Sequence, residues 1–328
     1  MILIKSYRYR ILTILALVLF TGVGFSFNSD KCKDEVRPVR EYKTKYVVVL
    51  IIDGPRYSET FGDSTCQYIP NLSTVLAPQG VLIKNFKNNG TTTTNSGHTA
   101  ICTGNYQSVK NDGSELPKFP SMFQYFLNEK NLDSTHAWVI TSKGKLNILA
   151  NTKNSKWNGK NTPSQYCGVD GKGEGYTNDA YTWRDAQSIL KKYHPEMTLI
   201  NLLEVDVRGH QNEWPEYLQA IKTTDNTALN LWNFIQNDPV YKDNTTLIIT
   251  NDHGRHTEGH KNGFVNHGDN CDGCRTIYMI GLGPDFKKNF VIDGMYDQLD
   301  ISATIAEMLH FKMPTSKGIV MDELFVTP

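Results

Sequence analysis

Six apolar, β-branched stretches punctuate the chain, at residues 46–52, 81–86, 136–140, 197–203, 246–250 and 276–282. Several are unbroken rather than alternating, Val47-Val48-Val49-Leu50-Ile51-Ile52 above all. A strand with one wet face alternates apolar and polar residues. A continuous run instead fits a strand covered on both faces, as in a parallel sheet sandwiched by helices. Helical periodicity fills the intervals. Residues 119–128 set Phe119, Met122, Phe123 and Phe126 at helical spacing, with Pro120 near the start. Pro215 opens a longer segment reaching residue 236, where Leu218, Ile221, Ala228, Trp232 and Ile235 mark one face; proline suits a first helical turn. Ile301, Ile305 and Leu309 mark a last helix over 300–309. Strands alternating with helices predict an α/β fold with a central, mostly parallel sheet.

One stretch breaks this rhythm. Residues 147–196 are rich in Asn, Gly, Lys and Tyr and show little periodicity before their last dozen positions. A long irregular segment inside a compact domain is usually a functional lid or a disordered loop. Trp157, Tyr166, Tyr176, Tyr181 and Trp183 favour an ordered cap insert whose aromatic residues either line a pocket or pack the cap itself. No internal repeat is evident.

Length and composition narrow the picture modestly. The 328 residues suffice for one large domain or two small ones, and 39% hydrophobic content supports a substantial core. Formal net charge is zero, so nothing points to a nucleic-acid partner. At the N-terminus, Lys5, Arg8 and Arg10 precede an apolar run at 11–20 broken only by Thr13, and Thr21-Gly22-Val23-Gly24 follow. Residues 1–28 therefore read as a signal peptide, or as an N-terminal anchor if uncleaved. The expected location is exported: periplasmic or secreted, with membrane attachment only through that segment. Ser29-Asp30-Lys31 ahead of Cys32 disfavours a lipoprotein. Export would favour disulfides among Cys66, Cys167, Cys271 and Cys274, with Cys102 a buried thiol in its apolar setting. Cys271-X-X-Cys274 alone is weak evidence for zinc.

Ligand-type residues gather where the apolar runs stop. Asp53 follows the first run, Asp206 follows residues 199–205, and Asp252-His253 follows 246–250. Ligands of parallel α/β sheets bind at the carboxyl ends of strands, so three runs deliver acids or imidazoles to one edge. A single Asp after a strand is ordinary turn chemistry; three such ends, with His210 and His267, suit a pair of divalent ions. Borderline metals such as zinc take imidazole nitrogen and carboxylate oxygen. Two ions a few ångströms apart clamp the attacking and leaving oxygens of phosphoryl transfer. Thr94 follows the turn Gly90-Thr91-Thr92-Thr93 and opens a helix, where backbone N–H groups favour an anion. Its hydroxyl is a poor nucleophile at neutral pH unless a metal or base activates it.

These residues give the chain its resemblance to the alkaline phosphatase superfamily, in its phosphodiesterase, phosphomutase and phosphatase branches, over roughly residues 44–325. Asp53-Gly54-Pro55-Arg56 resembles the first metal motif, and the stretch from Thr94 through His98 to Thr103-Gly104 resembles the nucleophile segment. Asp206 and His210 resemble the Asp-X-X-X-His pair, Asp252-His253-Gly254 the Asp-His-Gly motif, and His267 the last metal histidine. The resemblance implies a single catalytic domain at 40–328 with three-layer α/β/α architecture and a small irregular cap insert at 147–196. It implies two divalent ions, zinc first and manganese second. Asp206, His210 and His267 would hold one; Asp53, Asp252, His253 and the Thr94 oxygen would hold the other. Thr94 would form a covalent phosphothreonine in the hydrolysis of a small-molecule phosphate monoester. The alternative is a phosphodiesterase or nucleotide pyrophosphatase, with a phospho-group transferase or a non-catalytic binding protein behind it.

Departures from the family patterns bear on substrate. Nothing at Thr94 resembles the Cys/Ser-X-Pro-X-Arg segment of sulfatases, which disfavours sulfate. The diesterase relatives' Thr-Phe-Pro-Asn-His is replaced by Thr94-Asn95-Ser96-Gly97-His98. Lys143-Gly144-Lys145 resembles the Lys-X-Arg segment with which monoesterase relatives contact phosphate; two cations there would suit a dianion, against the plainer reading of two solvated lysines. Asn111, ahead of Asn105, is the candidate for a further phosphate contact. His98 and Arg56 read as structural, and His256 and His260 as loop residues with metal-compatible spacing.

Overall fold

The run Val47-Val48-Val49-Leu50-Ile51-Ile52 becomes a fully buried central strand because both of its faces are covered. In strand β1 (Tyr46–Ile52) successive side chains point to opposite sides. Val47, Val49 and Ile51 enter one core and Val48, Leu50 and Ile52 the other. Chain order continues with β2 (Val81–Lys87), α1 (Thr94–Thr103), α2 (Met122–Lys130), β3 (Ala137–Thr141), β4 (Ser164–Gly168), β5 (Lys172–Glu174), α3 (Asp179–Tyr193), β6 (Met197–Leu202) and α4 (Glu204–His210). It ends with α5 (Trp214–Asn237), β7 (Thr245–Asn251), α6 (Asp272–Arg275), β8 (Thr276–Leu282), β9 (Phe290–Ile292) and α7 (Leu299–Met308). This computed structural model describes residues 40–327 except Asn270 and Met295, with the side chain of Asn85 also left aside. The expected signal segment 1–28 and Cys32 lie outside the described residues.

Nine strands form one sheet in the order β5-β4-β3-β6-β1-β7-β8-β2-β9. Every pairing is parallel except those of β8, which runs antiparallel to β7 and β2. One face packs under Ile101, Phe123 and Ile305 of α1, α2 and α7. The other packs under Leu190, Tyr217, Ile221 and Ile235 of α3 and α5. This is the three-layer α/β/α arrangement. Val49 is wholly buried in the first core, so trimming such a side chain to alanine costs roughly 2–4 kcal/mol.

Three expectations need correction. Helix α2 starts after Pro120, not on it: Ser121 caps it, accepting from the Gln124 backbone N–H while the Gln124 side chain answers the Ser121 N–H. The 147–196 stretch is not an irregular insert. It lays β4 and β5 at the edge of the sheet and adds α3 to one face. Its strands have no apolar run to announce them: β5 is the edge strand, and β4 beside it, Ser164-Gln165-Tyr166-Cys167-Gly168, is half-exposed over its first three residues. Finally, Cys66, Cys102, Cys167, Cys271 and Cys274 are all free thiols, so no disulfide joins the described cysteines. Cys102 is buried as expected. Among the described residues, no helix is long and apolar enough to cross a membrane.

Candidate active site

Four neighbouring parallel strands, β3, β6, β1 and β7, present their carboxyl ends side by side. Asp53 follows β1 directly, and Asp252 and His253 follow β7. Asp206 lies in the first turn of α4, after β6. Lys143 stands two residues beyond β3, and Thr94 is the first residue of α1. Gly54 makes the first approach possible: its φ is +63°, and a Cβ there would lie 2.9 Å from Arg255 Nη1 and 3.0 Å from Asp206 Oδ1. Gly97 does the same for α1, where a Cβ would meet the Asp252 carbonyl oxygen at 2.4 Å.

The inner group is Asp53, Asp252 and His253, all fully buried. Asp252 Oδ1 accepts from the backbone N–H of Gly54 and of His253. His253 Nδ1 donates to the Gly254 carbonyl at 3.0 Å, which leaves Nε2 with its lone pair free. That nitrogen stands 3.3 Å from Asp252 Oδ2 and 3.6 Å from Asp53 Oδ1. All three of these atoms lack a hydrogen-bond partner. Buried polar atoms are normally satisfied, so two carboxylate oxygens and an imidazole lone pair converging without a donor fit a cation. Burial, then the Asp252 charge, pushes the Asp53 carboxyl up to about 6, while Lys143 opposes the shift. Burial also pushes Asp252 up, but His253 and His98 outweigh it and hold that carboxyl below its ordinary value. Burial holds His253 down at about 3, so it is neutral at physiological pH.

The outer group is Asp206, His210 and His267. Asp206 Oδ1 lies 3.3 Å from His210 Nε2 and 3.4 Å from His267 Nε2, and those two nitrogens face each other at 3.0 Å. His267 Nδ1 donates to the Thr92 carbonyl at 2.8 Å, fixing the tautomer that leaves Nε2 free. The His267 ring stacks on His253 with centroids 3.8 Å apart, which joins the two groups. Burial moves His210 down to about 4. The ligand atoms of the outer group lie within 4.8 Å of one another, as do those of Asp53, Asp206 and His253, and those of Asp53, His98 and Asp252. The six carboxylate and imidazole side chains among the expected ligands are thus brought together. His98 is the addition; it bonds the Thr94 carbonyl through Nδ1 and accepts from Asn201 through Nε2, a supporting position.

Cations already reach into this site. Lys143 is almost wholly buried, with Nζ 2.6 Å from Asp206 Oδ2, 2.9 Å from Asp53 Oδ2 and 3.3 Å from Thr94 Oγ1. Burial works against its charge, but Asp206 and Asp53 prevail and raise its pKa. Lys143 is therefore no solvated lysine, and its amine lies deeper than a cation reserved for substrate. Lys145 instead reaches the Asn111 carbonyl at 2.9 Å and is shifted down by burial and by Lys143. Lys143, Lys145 and Asn111 line one cleft of about 490 Å³ together with Thr94, Tyr176, Asp206, His210 and His267. The Asn111 side chain accepts from the Asn95 N–H at the head of α1. Asn105 is held at the other end of that helix by the Thr103 and Thr315 carbonyls. Arg56 is occupied by a two-bond pair with Glu59, a structural role as expected.

Arg255 escaped the sequence reading. It is fully buried, donates to Asp206 Oδ1 at 2.5 Å and to the carbonyls of Phe264 and Val265, and so joins the outer carboxylate to the loop that carries His267. Asn88 and Gln298, which both donate to the Asp252 carbonyl, were also missed. A lone Arg, Asn or Gln far apart in the chain carries no spacing signal.

The fold and the two ligand groups at the carboxyl edge of its sheet define an alkaline phosphatase-like α/β domain. The sequence model for type I phosphodiesterase / nucleotide pyrophosphatase matches residues 47–268, and the chain belongs to that family, within the alkaline phosphatase superfamily. A 2,3-bisphosphoglycerate-independent phosphoglycerate mutase from Pyropia yezoensis is 30% identical over 152 residues, 43% of this chain and 27% of the mutase. The chain thus spans only about a quarter of that curated relative's length in the matched region. Among solved structures, a superfamily protein from Vibrio parahaemolyticus aligns with a TM-score of 0.59 at 17% identity, covering 83% of this chain and 67% of the other. The phosphonate monoester hydrolase of Agrobacterium radiobacter aligns with a TM-score of 0.61 at 13% identity, covering 85% and 77%. Sulfatases share the fold as well.

Proposed function

We propose that the chain is a metal-dependent phosphoric-ester hydrolase with Thr94 as its nucleophile. One observation carries the reading: Thr94 Oγ1 sits at the head of α1, on the cleft, 3.3 Å from the Lys143 ammonium, which also contacts Asp53 of one ligand group and Asp206 of the other. Asp53, Asp252 and His253 would hold one divalent ion, with the Thr94 oxygen, and Asp206, His210 and His267 the other. Mixed imidazole and carboxylate donors suit zinc, with manganese second. When bound, such ions stabilise the charge of the attacking and leaving oxygens.

The chain's own groups supply the rest. Thr94 Oγ1 gives up its proton and bonds phosphorus as the P–O ester bond breaks, and the departing oxygen takes up a proton to leave as the alcohol. Water then cleaves the phosphothreonine and restores the hydroxyl. The positive end of α1, where Thr94 is the first residue, favours the charge of the phosphoryl group. Lys143 lies against Thr94 Oγ1 and keeps that oxygen in a positive field. Lys145, on the cleft wall, supplies a second cation for a non-bridging oxygen. Lys145 on the cleft wall, with the deeper charge of Lys143 behind Thr94, supports a dianionic monoester. The family match favours the second reading, a diester. Initial rates on an aryl phosphate monoester and the matching diester separate the two. A monoester preference lost in Lys145→Ala supports the first; a diester preference unaffected by that change supports the second. Export through residues 1–28, to the periplasm or medium, remains a proposal, tested by N-terminal sequencing of the protein recovered from each fraction.

A further inference from the structure

A second cluster of metal-type side chains lies outside the cleft. His256, His260, Asp269 and Cys271 bring one ligand atom each within 4.8 Å of the others. His256 Nε2 is 3.3 Å and His260 Nε2 3.0 Å from Asp269 Oδ2. Zinc bound tetrahedrally at its usual bond lengths sets its donors about 3.3 to 3.8 Å apart, so the cluster is close to that size already. His256 gives the independent sign. It is only 3% exposed, and neither ring nitrogen has a hydrogen-bond partner. A buried imidazole left unsatisfied is uncommon and expensive, and here it faces a carboxylate, another imidazole and a thiol.

The surroundings orient these donors. The His256 N–H bonds the Asn266 carbonyl at 3.0 Å, drawing the two ends of the loop together. Arg56 Nη1 donates to the His256 carbonyl. The Cys271 N–H donates to Asp269 Oδ1 at 3.0 Å, which turns Oδ2 toward the histidines. Lys261 contacts that same Oδ2, but its side chain is 54% exposed and free to swing into solvent, leaving an entry path. We propose that His256, His260, Asp269 and Cys271 form a structural zinc site that staples the loop between β7 and α6. It shares no side chain with the two ligand groups of the cleft. His267 lies two residues before Asp269, and the Arg255 acceptors Phe264 and Val265 lie in the same loop, so the ion fixes the backbone on which the outer group depends. Two imidazoles, one carboxylate and one thiolate form a donor set that zinc accepts and that magnesium or calcium disfavours.

The test uses the full chain, stripped with a chelator and titrated anaerobically with cobalt(II). Only a sulfur donor gives a thiolate-to-cobalt charge-transfer band in the near ultraviolet, and the cleft groups contain no sulfur. The expected result is a band that saturates at about one ion per chain. It disappears in Cys271→Ser, needs roughly 100-fold more cobalt in His260→Gln, and persists in an Asp53→Asn, Asp206→Asn double variant. His260 is largely on the surface, so the second variant reports on the site even if Cys271→Ser folds poorly, and circular dichroism checks both. No band, or a band that survives Cys271→Ser, overturns the site. A band lost in Cys274→Ser but kept in Cys271→Ser would do so too, as would a Cys271–Cys274 disulfide in protein purified without reductant.

Discussion

The two ligand groups of the cleft are chemically alike but differ in how the protein has prepared them. The inner group leaves Asp53 Oδ1, Asp252 Oδ2 and His253 Nε2 without donors in a fully buried pocket. The outer carboxylate is the opposite case: Asp206 carries Lys143 on one oxygen and Arg255, with the two histidines nearby, on the other. Lys143, with His267 and Arg255 behind it, overcomes burial and holds Asp206 well below the ordinary carboxylate range. The inner group is thus only partly neutralised, by Lys143 on Asp53 Oδ2, and keeps three acceptor atoms without donors, whereas the outer carboxylate has a cation on each oxygen before any ion arrives. An ion entering the inner group relieves unsatisfied charge, while one entering the outer group shares Asp206 with two residents. The inner ion should bind tighter and the outer one exchange with the cleft.

The largest effect expected from this contrast falls on Thr94, whose hydroxyl meets the Lys143 ammonium that contacts Asp53 and Asp206. Thr94→Ala should lower kcat roughly 10⁴-fold or more while weakening the inner ion far less than Asp53→Asn does. A drop in bound metal to the same degree would make Thr94 a ligand first. Next comes the ranking of the ions. In a zinc titration followed by calorimetry, Asp53→Asn should abolish the tighter of the two phases that belong to the cleft, and Asp206→Asn the weaker, with any phase lost in Cys271→Ser set aside; the reverse assignment would break the comparison. Arg255→Met tests how far the outer carboxylate depends on its neighbour. It should weaken the outer phase about 10- to 100-fold and leave the inner phase in place.

The smallest effect is on pH. In the metal-free state Asp53 takes up a proton near pH 6, whereas His210 and His253 stay neutral down to about 4 and 3. A raised carboxyl pKa means that an inner ion must displace a proton below pH 6. Inner-site affinity should therefore be flat above that value and fall about tenfold per unit beneath it, with His253 joining only below about 3. Inner affinity measured by competition with a chromogenic chelator between pH 5 and 8 checks the slope. A break near 6.5 would point to a histidine of ordinary pKa instead.

What could be read from the sequence follows from where the signals are local. The central strands were found within a residue because buried parallel strands need unbroken apolar runs, and Asp53 and Asp252 announced themselves by ending such runs. The apolar run reaching residue 205 predicts Asp206 at a strand end, although β6 stops at Leu202 and the carboxylate belongs to α4; Leu203 and Val205 are apolar and buried in the turn into α4, which mimics a strand. β4 and β5 were invisible because sheet edges do not require apolar runs. Lys143 was legible as a cation near phosphate, but its burial between Asp53 and Asp206 depends on three strands meeting. Arg255 has meaning only through contacts with Gly54, Asp206 and the loop at 264–265, none of which has a spacing to recognise. Export and the identity of the ions leave no trace in the described residues.

The most direct measurement is a rapid-quench reaction of the zinc-loaded protein with an aryl phosphate monoester and its diester, followed by peptide mass spectrometry. Thr94 as the covalent centre between the two groups predicts a phosphoryl or phosphodiester adduct on the peptide containing Thr94, formed at least as fast as turnover and absent in Thr94→Ala. Full turnover in Thr94→Ala, or an adduct on any other side chain, would contradict it.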